Sequence, residues 1–382
     1  MVAFRPSQAI ARVQSSSLRP AGAVPPQGTV SLAMGEPDFP TPEPIVEAAQ
    51  RALREGWTHY GDLNGDPELR EAIAAEAARI SGRAHTADSV LVSHGGAAAI
   101  TAAILATVDP GDRVVLPEPT YSLYPDAVRL AGGVPVPVAT TARHHLDLEA
   151  LAAAARGARM VVLCNPGNPT GAVIPPAELA LLGELLHGTD TLVLADEAYA
   201  DIVYSGVRFV SALAVESLSE RLIYVQTLSK TYAMTGWRIG YVVAPEVMAG
   251  AIRHVHRTMN SSVNAAVQRA ALTALRIGPE LAAPMLRAYQ ERRDFVTKRI
   301  NDMPTLRANE PEGAFYALAR YDADLSSQEM AAKLLAGGVA VRAGSEYGAS
   351  GQGHIRLSFA AGLDVLAEGL DRIEAVLEAV GE

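Results

Sequence analysis

The sequence predicts an α/β protein, with a larger domain built on a mainly parallel sheet and a smaller α+β domain after it. Three observations carry this reading. From about residue 88, short β-rich runs alternate with helical stretches. The runs are apolar throughout rather than alternately apolar and polar, as expected of strands covered on both faces. Beyond about residue 280 the pattern changes to a long, charge-rich helix and more widely separated strands.

The elements follow in order. The first forty residues read as irregular, with Ser15, Ser16 and Ser17, then Pro25 and Pro26, then a strand-like run at 30–34. Residues 35–40 are dense in turn formers. Helical periodicity begins near Pro44, a residue suited to the first turn of a helix. Buried strands are expected at 89–93, 113–116, 134–138, 160–163, 191–195, 222–226 and 239–243, with helices between most of them. A long helix is expected over 280–301, its charges on one side, and strands at 315–318, 339–342 and 354–359. This divides the chain into a segment 1–43 that joins the smaller domain, a large domain 44–279 and a small domain 280–382. No fixed repeat period or sustained heptad is present.

Composition narrows the function. A chain of 382 residues, 49% of them apolar, can bury the cores of two domains. The net charge is −10, and no basic stripe is present, which argues against nucleic-acid and anionic-membrane partners. One cysteine, Cys164, allows no internal disulfide and fits a reducing compartment. No apolar stretch is long and charge-free enough to span a bilayer, so a soluble, cytoplasmic protein is expected. The histidines are scattered. Adjacent His144 and His145 lack metal-ligand spacing and read as a solvated turn, so no metal site is expected.

The chemistry-bearing residues cluster at predicted strand ends, the edge where open α/β sheets bind ligands. Lys230 follows the run 222–226, where partial desolvation lowers an amine's pKa and makes it a nucleophile able to form a Schiff base. Alone it reads rather as a surface lysine at a strand end. Arg238 lies eight residues on, and its planar fork suits a phosphate or an ion pair. Asp196 ends the run 191–195 and suits either a protonated pyridine nitrogen or a helix cap. Tyr199, three residues later, can donate to a ring oxygen. The turn 165–171, Asn-Pro-Gly-Asn-Pro-Thr-Gly, presents Asn168. Gly95, Gly96 and Ala97 open a helix where small residues admit a phosphate to backbone amides, or simply make a tight turn. Tyr121 suits stacking on a flat ring or a place in the core. Arg356, alternating with apolar residues, needs a carboxylate partner from substrate or protein.

In this order, from Gly35 to Arg356, these segments resemble the class I and II aminotransferases of pyridoxal-phosphate fold type I, the aspartate aminotransferase-like family. The most specific pieces are 165–171, 196–199 and 229–240. The resemblance implies a fold type I transferase: a large three-layer domain with a mainly parallel sheet, and a smaller α+β domain. It implies pyridoxal 5'-phosphate as cofactor and a reaction between an amino acid and a 2-oxo acid. Lys230 would be the imine lysine and proton shuttle, Asp196 the pyridinium partner, and Tyr199 and Asn168 the ligands of the ring oxygen. Gly95, Gly96, Ala97, Thr227 and Arg238 would form the phosphate cup, with Tyr121 stacked on the ring. Arg356, helped by Gly35 and Asn168, would clamp the substrate α-carboxylate. Tyr60 would reach the phosphate of a neighbouring subunit, which implies a homodimer with shared sites.

Three positions depart from commoner family patterns: Tyr121 where some relatives have Trp, Ala97 where some have Thr, and Ala343 where many have Pro. Two other readings compete. One keeps the cofactor but changes the chemistry to a β-lyase, decarboxylase, racemase or cyclase, since one fold hosts many reactions. The other is a ligand-sensing domain of a transcription regulator, against which the short irregular N-terminal stretch speaks. Arg257 is a candidate for reading a distal substrate carboxylate, or a residue of a solvated helix face.

Overall fold

The computed structural model describes residues 5–14 and 26–381. The serines at 15–17 and Pro25 lie outside the described residues. Strand β1, Val30–Ser31, is followed by the strands of the large sheet: β2 Val90–Ser93, β3 Arg113–Glu118, β4 Val134–Ala139, β5 Met160–Cys164, β6 Leu192–Asp196, β7 Leu222–Thr227 and β8 Gly240–Val243. Their spatial order is β2-β8-β7-β6-β5-β3-β4. β3, β4, β5, β6 and β7 pair in parallel, while β8 runs antiparallel to both β7 and β2.

The apolar runs are explained by two cores, one on each face of this sheet. Successive residues of β7 alternate between them: Leu222 and Tyr224 face helices Pro67–Ser81 and Ala265–Ile277, while Ile223 and Val225 face helices Gly96–Thr107 and Glu246–Asn260. Strand β4 departs from the expectation of burial. It is the sheet edge, Val134 is 48% exposed, and Pro135 and Pro137 interrupt its donors, which an edge strand tolerates.

The small domain has a four-stranded antiparallel sheet, ordered β12-β13-β10-β9, from β9 Leu306–Ala308, β10 Tyr316–Tyr321, β12 Arg342–Ala343 and β13 His354–Ser358. The run expected at 339–342 is in fact two strands. β11, Val339–Ala340, pairs in parallel with β1, and the chain crosses at Val341 into β12. β1 thereby pairs the N-terminal segment with the stretch that leads into this sheet. The long helix spans Ala283–Asp302, after a 3-10 turn at Pro279–Leu281. Its charges are not confined to one side: Arg292 and Arg293 are buried, Arg292 bidentate to Asp38 at 2.7 and 2.8 Å and Arg293 to Glu310 at 2.6 Å. Their long stems pack among apolar neighbours while the heads find carboxylates. No helix of the described residues is long and apolar enough to cross a membrane.

Candidate active site

The strand order reverses between β3 and β5, and this opens a crevice at their carboxyl ends. Tyr121 follows β3, Asn168 follows β5, Asp196 ends β6, and Lys230 sits in the helical turn Leu228–Thr231 after β7. Because β8 is antiparallel, its start meets the same edge, and Arg238 stands two residues before it. Ser93, the end of β2, pairs with Gly240 there, which brings in Gly95, Gly96 and Ala97. A cavity of about 280 Å³ gathers these ends. Gly35, Gly96, Ala97, Tyr121, Asn168, Asp196, Tyr199, Thr227, Lys230, Arg238 and Arg356 line it.

Two predicted residues stand outside the cavity wall. Gly95 lies behind Arg238: at φ 82°, a Cβ there would come within 3.1 Å of the Arg238 Nη2. Tyr60 is 92% exposed. Arg257 also lies off the cavity, on an exposed helix face beside His254 Nδ1 at 2.6 Å.

Lys230 Nζ donates to the Gly35 carbonyl at 2.6 Å. Burial, above all, brings its ammonium down to about 8. Glu36 and Asp196 oppose this, and the charges of Arg356 and Arg238 add to it. Asp196 accepts from the Tyr124 hydroxyl at 2.7 Å and from the Ala198 amide at 3.1 Å. Burial nevertheless raises its pKa. The Tyr199 hydroxyl shares a hydrogen bond with that of Tyr316 at 2.8 Å, and burial pushes its ionisation well above the usual phenol range, so it remains a donor.

Arg356 sits on β13 between the rings of Tyr316 and Tyr347, at 4.4 and 5.2 Å. Its Nη1 donates to Asn168 Oδ1 at 3.2 Å and its Nη2 to the Ala33 carbonyl, while its buried Nε has no hydrogen-bond partner. Elsewhere in the wall, no side chain caps helix Gly96–Thr107, so its first amides, at the cavity-lining Gly96 and Ala97, are left for an anion. Thr227 Oγ1 caps the Lys230 turn and lies 2.9 Å from Ser229 Oγ.

Several cavity residues escaped the sequence reading. Tyr124 is one helical turn beyond Tyr121, at the start of helix Leu123–Ala131, and that spacing was its only signal. Tyr316 lies in a strand that was expected, but its contact with Tyr199 spans 117 residues. Arg342 and Glu346 also line the cavity, paired at 3.4 Å. The His144–His145 turn is more than solvated. His145 lies 3.7 Å from Glu178 and 3.8 Å from Glu312, which links the large domain to the approach of β10.

A family model for aminotransferase class I and II matches residues 27–373. The chain belongs to the class I and II aminotransferase family. Among curated aminotransferases, it is 37% identical over 364 residues to the aspartate aminotransferase of Streptomyces avermitilis, covering 91% of this chain and 89% of that one. It is 37% identical over 348 residues to the arginine–pyruvate transaminase of Pseudomonas aeruginosa, covering 90% and 88%. The crystal structure of the aromatic aminotransferase from Pyrococcus horikoshii superposes with a TM-score of 0.91 at 33% identity, covering 97% of this chain and 99% of that one. The fold is that of the fold type I transferases.

Class I and II aminotransferases use pyridoxal 5'-phosphate, and the donor set fits it. Gly95 and Gly96 leave Arg238 and the helix amides free to approach a phosphate. Asp196, whose pKa burial raises, gains by meeting a cationic ring nitrogen. Tyr121 lines the cavity with its ring perpendicular to that of Tyr124, centroids 5.6 Å apart.

Proposed function

We propose that this aminotransferase moves an amino group from an L-amino acid to a 2-oxo acid, such as 2-oxoglutarate, in two half-reactions, with Lys230 as the amine that joins the cofactor. The observation that carries this reading is Lys230 itself: its amine shares one cavity with Asp196, Asn168, Arg238 and Arg356. Bound pyridoxal 5'-phosphate supplies an aldehyde for amines and a ring that takes up electrons from the α-carbon.

The chain's own residues do the rest. Arg238, Thr227, Gly95, Gly96 and Ala97 hold the phosphate, with Tyr60 of a second copy reaching in. Asp196, fixed by Tyr124, holds the proton on the ring nitrogen. Asn168 and Tyr199 donate to the ring oxygen. Arg356 grips the α-carboxylate through Nε and an Nη, with Gly35 closing one side. Lys230, with its pKa near 8, takes the α-proton at Nζ and returns it one position away.

The same reading makes 1–43 and 280–382 the small domain and 44–279 the large one. It also makes the protein a cytoplasmic homodimer, which suits the free thiol of Cys164. Replacing Lys230 with Ala should lower the rate of amino transfer by at least about 10³-fold, since a positioned proton carrier and nucleophile are both lost. Single-turnover release of the keto acid measures this, and a variant that keeps its rate overturns the assignment.

A further inference from the structure

A second cavity, of about 680 Å³, opens on the sheet face that carries helix Pro67–Ser81. It shares only Thr227 with the active-site cavity. Three carboxylates line it, Glu76, Glu197 and Asp201, with one cation, Arg79. Arg79 is already engaged by Glu76, through Nε at 2.7 Å and Nη2 at 2.6 Å. Among the described residues Asp201 accepts one hydrogen bond, from the neutral Thr231 hydroxyl at 2.8 Å, and the Arg79 charge that Glu76 already engages acts on it only from a distance. Glu197 is 1% exposed; its Oε1 accepts from the Ala212 amide at 2.6 Å, and its Oε2 has no hydrogen-bond partner among the described residues. Burial pushes its carboxyl up to about 8, opposed by the Ala212 amide and the nearby Ser211 hydroxyl and reinforced by Asp196 and Asp201.

A buried carboxyl group with an orphaned oxygen and no cation beside it is costly, and a ligand that brings a donor and a positive charge removes that cost. An anion would meet the Glu76 and Asp201 carboxylates, and a neutral apolar ligand would leave Glu197 Oε2 unsatisfied. The aromatic wall points the same way. Tyr224, Tyr232 and Tyr241 line the cavity, the first and last with ring centroids 6.3 Å apart, and such faces attract cations. The volume lies within the range of small-molecule sites.

We propose that this cavity binds a small organic cation, an ammonium or guanidinium group on a short apolar stem, through Asp201 and Glu197 and against the tyrosine wall. None of these residues belongs to the transamination site, so the proposal stands apart from the assigned reaction.

Calorimetric titration of the holoenzyme tests it, with butylguanidinium chloride as the probe, since this carries no primary amine to enter the transamination site. Saturable binding at one site per chain is expected, undiminished by saturating 2-oxoglutarate, with no binding of the neutral isostere butylurea. Affinity should fall tenfold or more in Asp201→Asn, with amino transfer intact. Glu197→Gln, which preserves the shape of the buried group, should weaken the probe as well. Absence of saturable binding, equal binding of butylurea, displacement by 2-oxoglutarate, or undiminished affinity in both variants would overturn the proposal. The arms on the unmutated enzyme decide the matter even if a variant fails to fold.

Discussion

Arg356 is sandwiched by Tyr316 and Tyr347 and held at both Nη atoms, so its plane is fixed before any substrate arrives. Only the orphaned Nε and the remaining N–H groups are left for a carboxylate. A lysine at this position keeps the charge but loses the fork and the stacking. Arg356→Lys should therefore raise the KM for amino acids by roughly 10–100-fold, the worth of a hydrogen bond to a charged group, with a smaller effect on kcat. Saturation of the half-reaction with the amino donor checks this. Lys230 gives a second prediction, on stability. Its folded pKa is about 8, against an ordinary value of 10.5. Below pH 8 both folded and unfolded chains carry the proton, and the cost of burying the charge is fully present. Between pH 8 and 10.5 only the unfolded chain binds the proton, so stability rises with pH across that window. Without cofactor, Lys230→Met should be more stable than the unmutated chain by on the order of 2–3 kcal/mol at pH 7, and the gap should shrink towards pH 10. Denaturant melts at both pH values measure the difference. At this scale, residues that announce themselves by type and strand-end position were legible: Lys230, Asp196, Asn168, Arg238 and Arg356. Tyr124 and Tyr316 were not. Their part is to fix Asp196 and Tyr199, and contacts across 72 and 117 residues leave no local pattern.

At the scale of elements, the strands of the large sheet follow from their apolar runs, with ends shifted by only a residue or two. A strand buried on both faces must be apolar throughout, so the signal is strong. Direction is another matter. Nothing within Gly-Tyr-Val-Val tells that β8 runs against its neighbours, yet that reversal delivers Arg238 to the active edge. β9 is only three residues long, too short for any periodicity, and was missed. Gly240 shows what the reversed strand requires. It begins β8 opposite both Thr227 and Ser93, and a Cβ there would stand 2.7 Å from the Gln226 carbonyl oxygen and 3.1 Å from the Gly95 backbone. These atoms belong to the sheet and to the phosphate turn, so neither can yield without moving the other. Gly240→Ala should cost about 1–3 kcal/mol of stability, as overpacking of a filled site does. It should also weaken pyridoxal 5'-phosphate binding by tenfold or more, because the Gly95 turn is displaced. Thermal melts without cofactor and cofactor titration read the two effects separately.

For the whole molecule, the end of helix Glu43–Arg54 and the segment after it bear on how copies of the chain associate. Tyr60 is 92% exposed, Leu53 and Leu63 are exposed by 54% and 44%, and Trp57 by 38%. Exposed apolar and aromatic side chains of this kind suit the interface of the proposed homodimer. In a two-fold dimer the same surface would meet itself, and the proposal has each copy lend its Tyr60 to the other's site. That geometry has a consequence no monomer could produce. In Tyr60→Ala the lysine is intact but each site lacks the neighbour's hydroxyl; in Lys230→Ala the hydroxyl is intact but the amine is missing. When the two variants are unfolded and refolded together in equal amounts, half of the dimers are hybrids. One site of each hybrid draws Lys230 from one copy and Tyr60 from the other and is complete. About a quarter of all lysine-bearing and lysine-lacking sites taken together should then be complete. At cofactor concentrations that leave Tyr60→Ala unsaturated, amino transfer by the refolded mixture should approach a quarter of that of the unmutated enzyme, while Lys230→Ala refolded alone stays inactive and Tyr60→Ala refolded alone keeps only a small fraction. If the mixture gains nothing over the sum of its parts, Tyr60 serves its own chain or none, and the shared site is wrong.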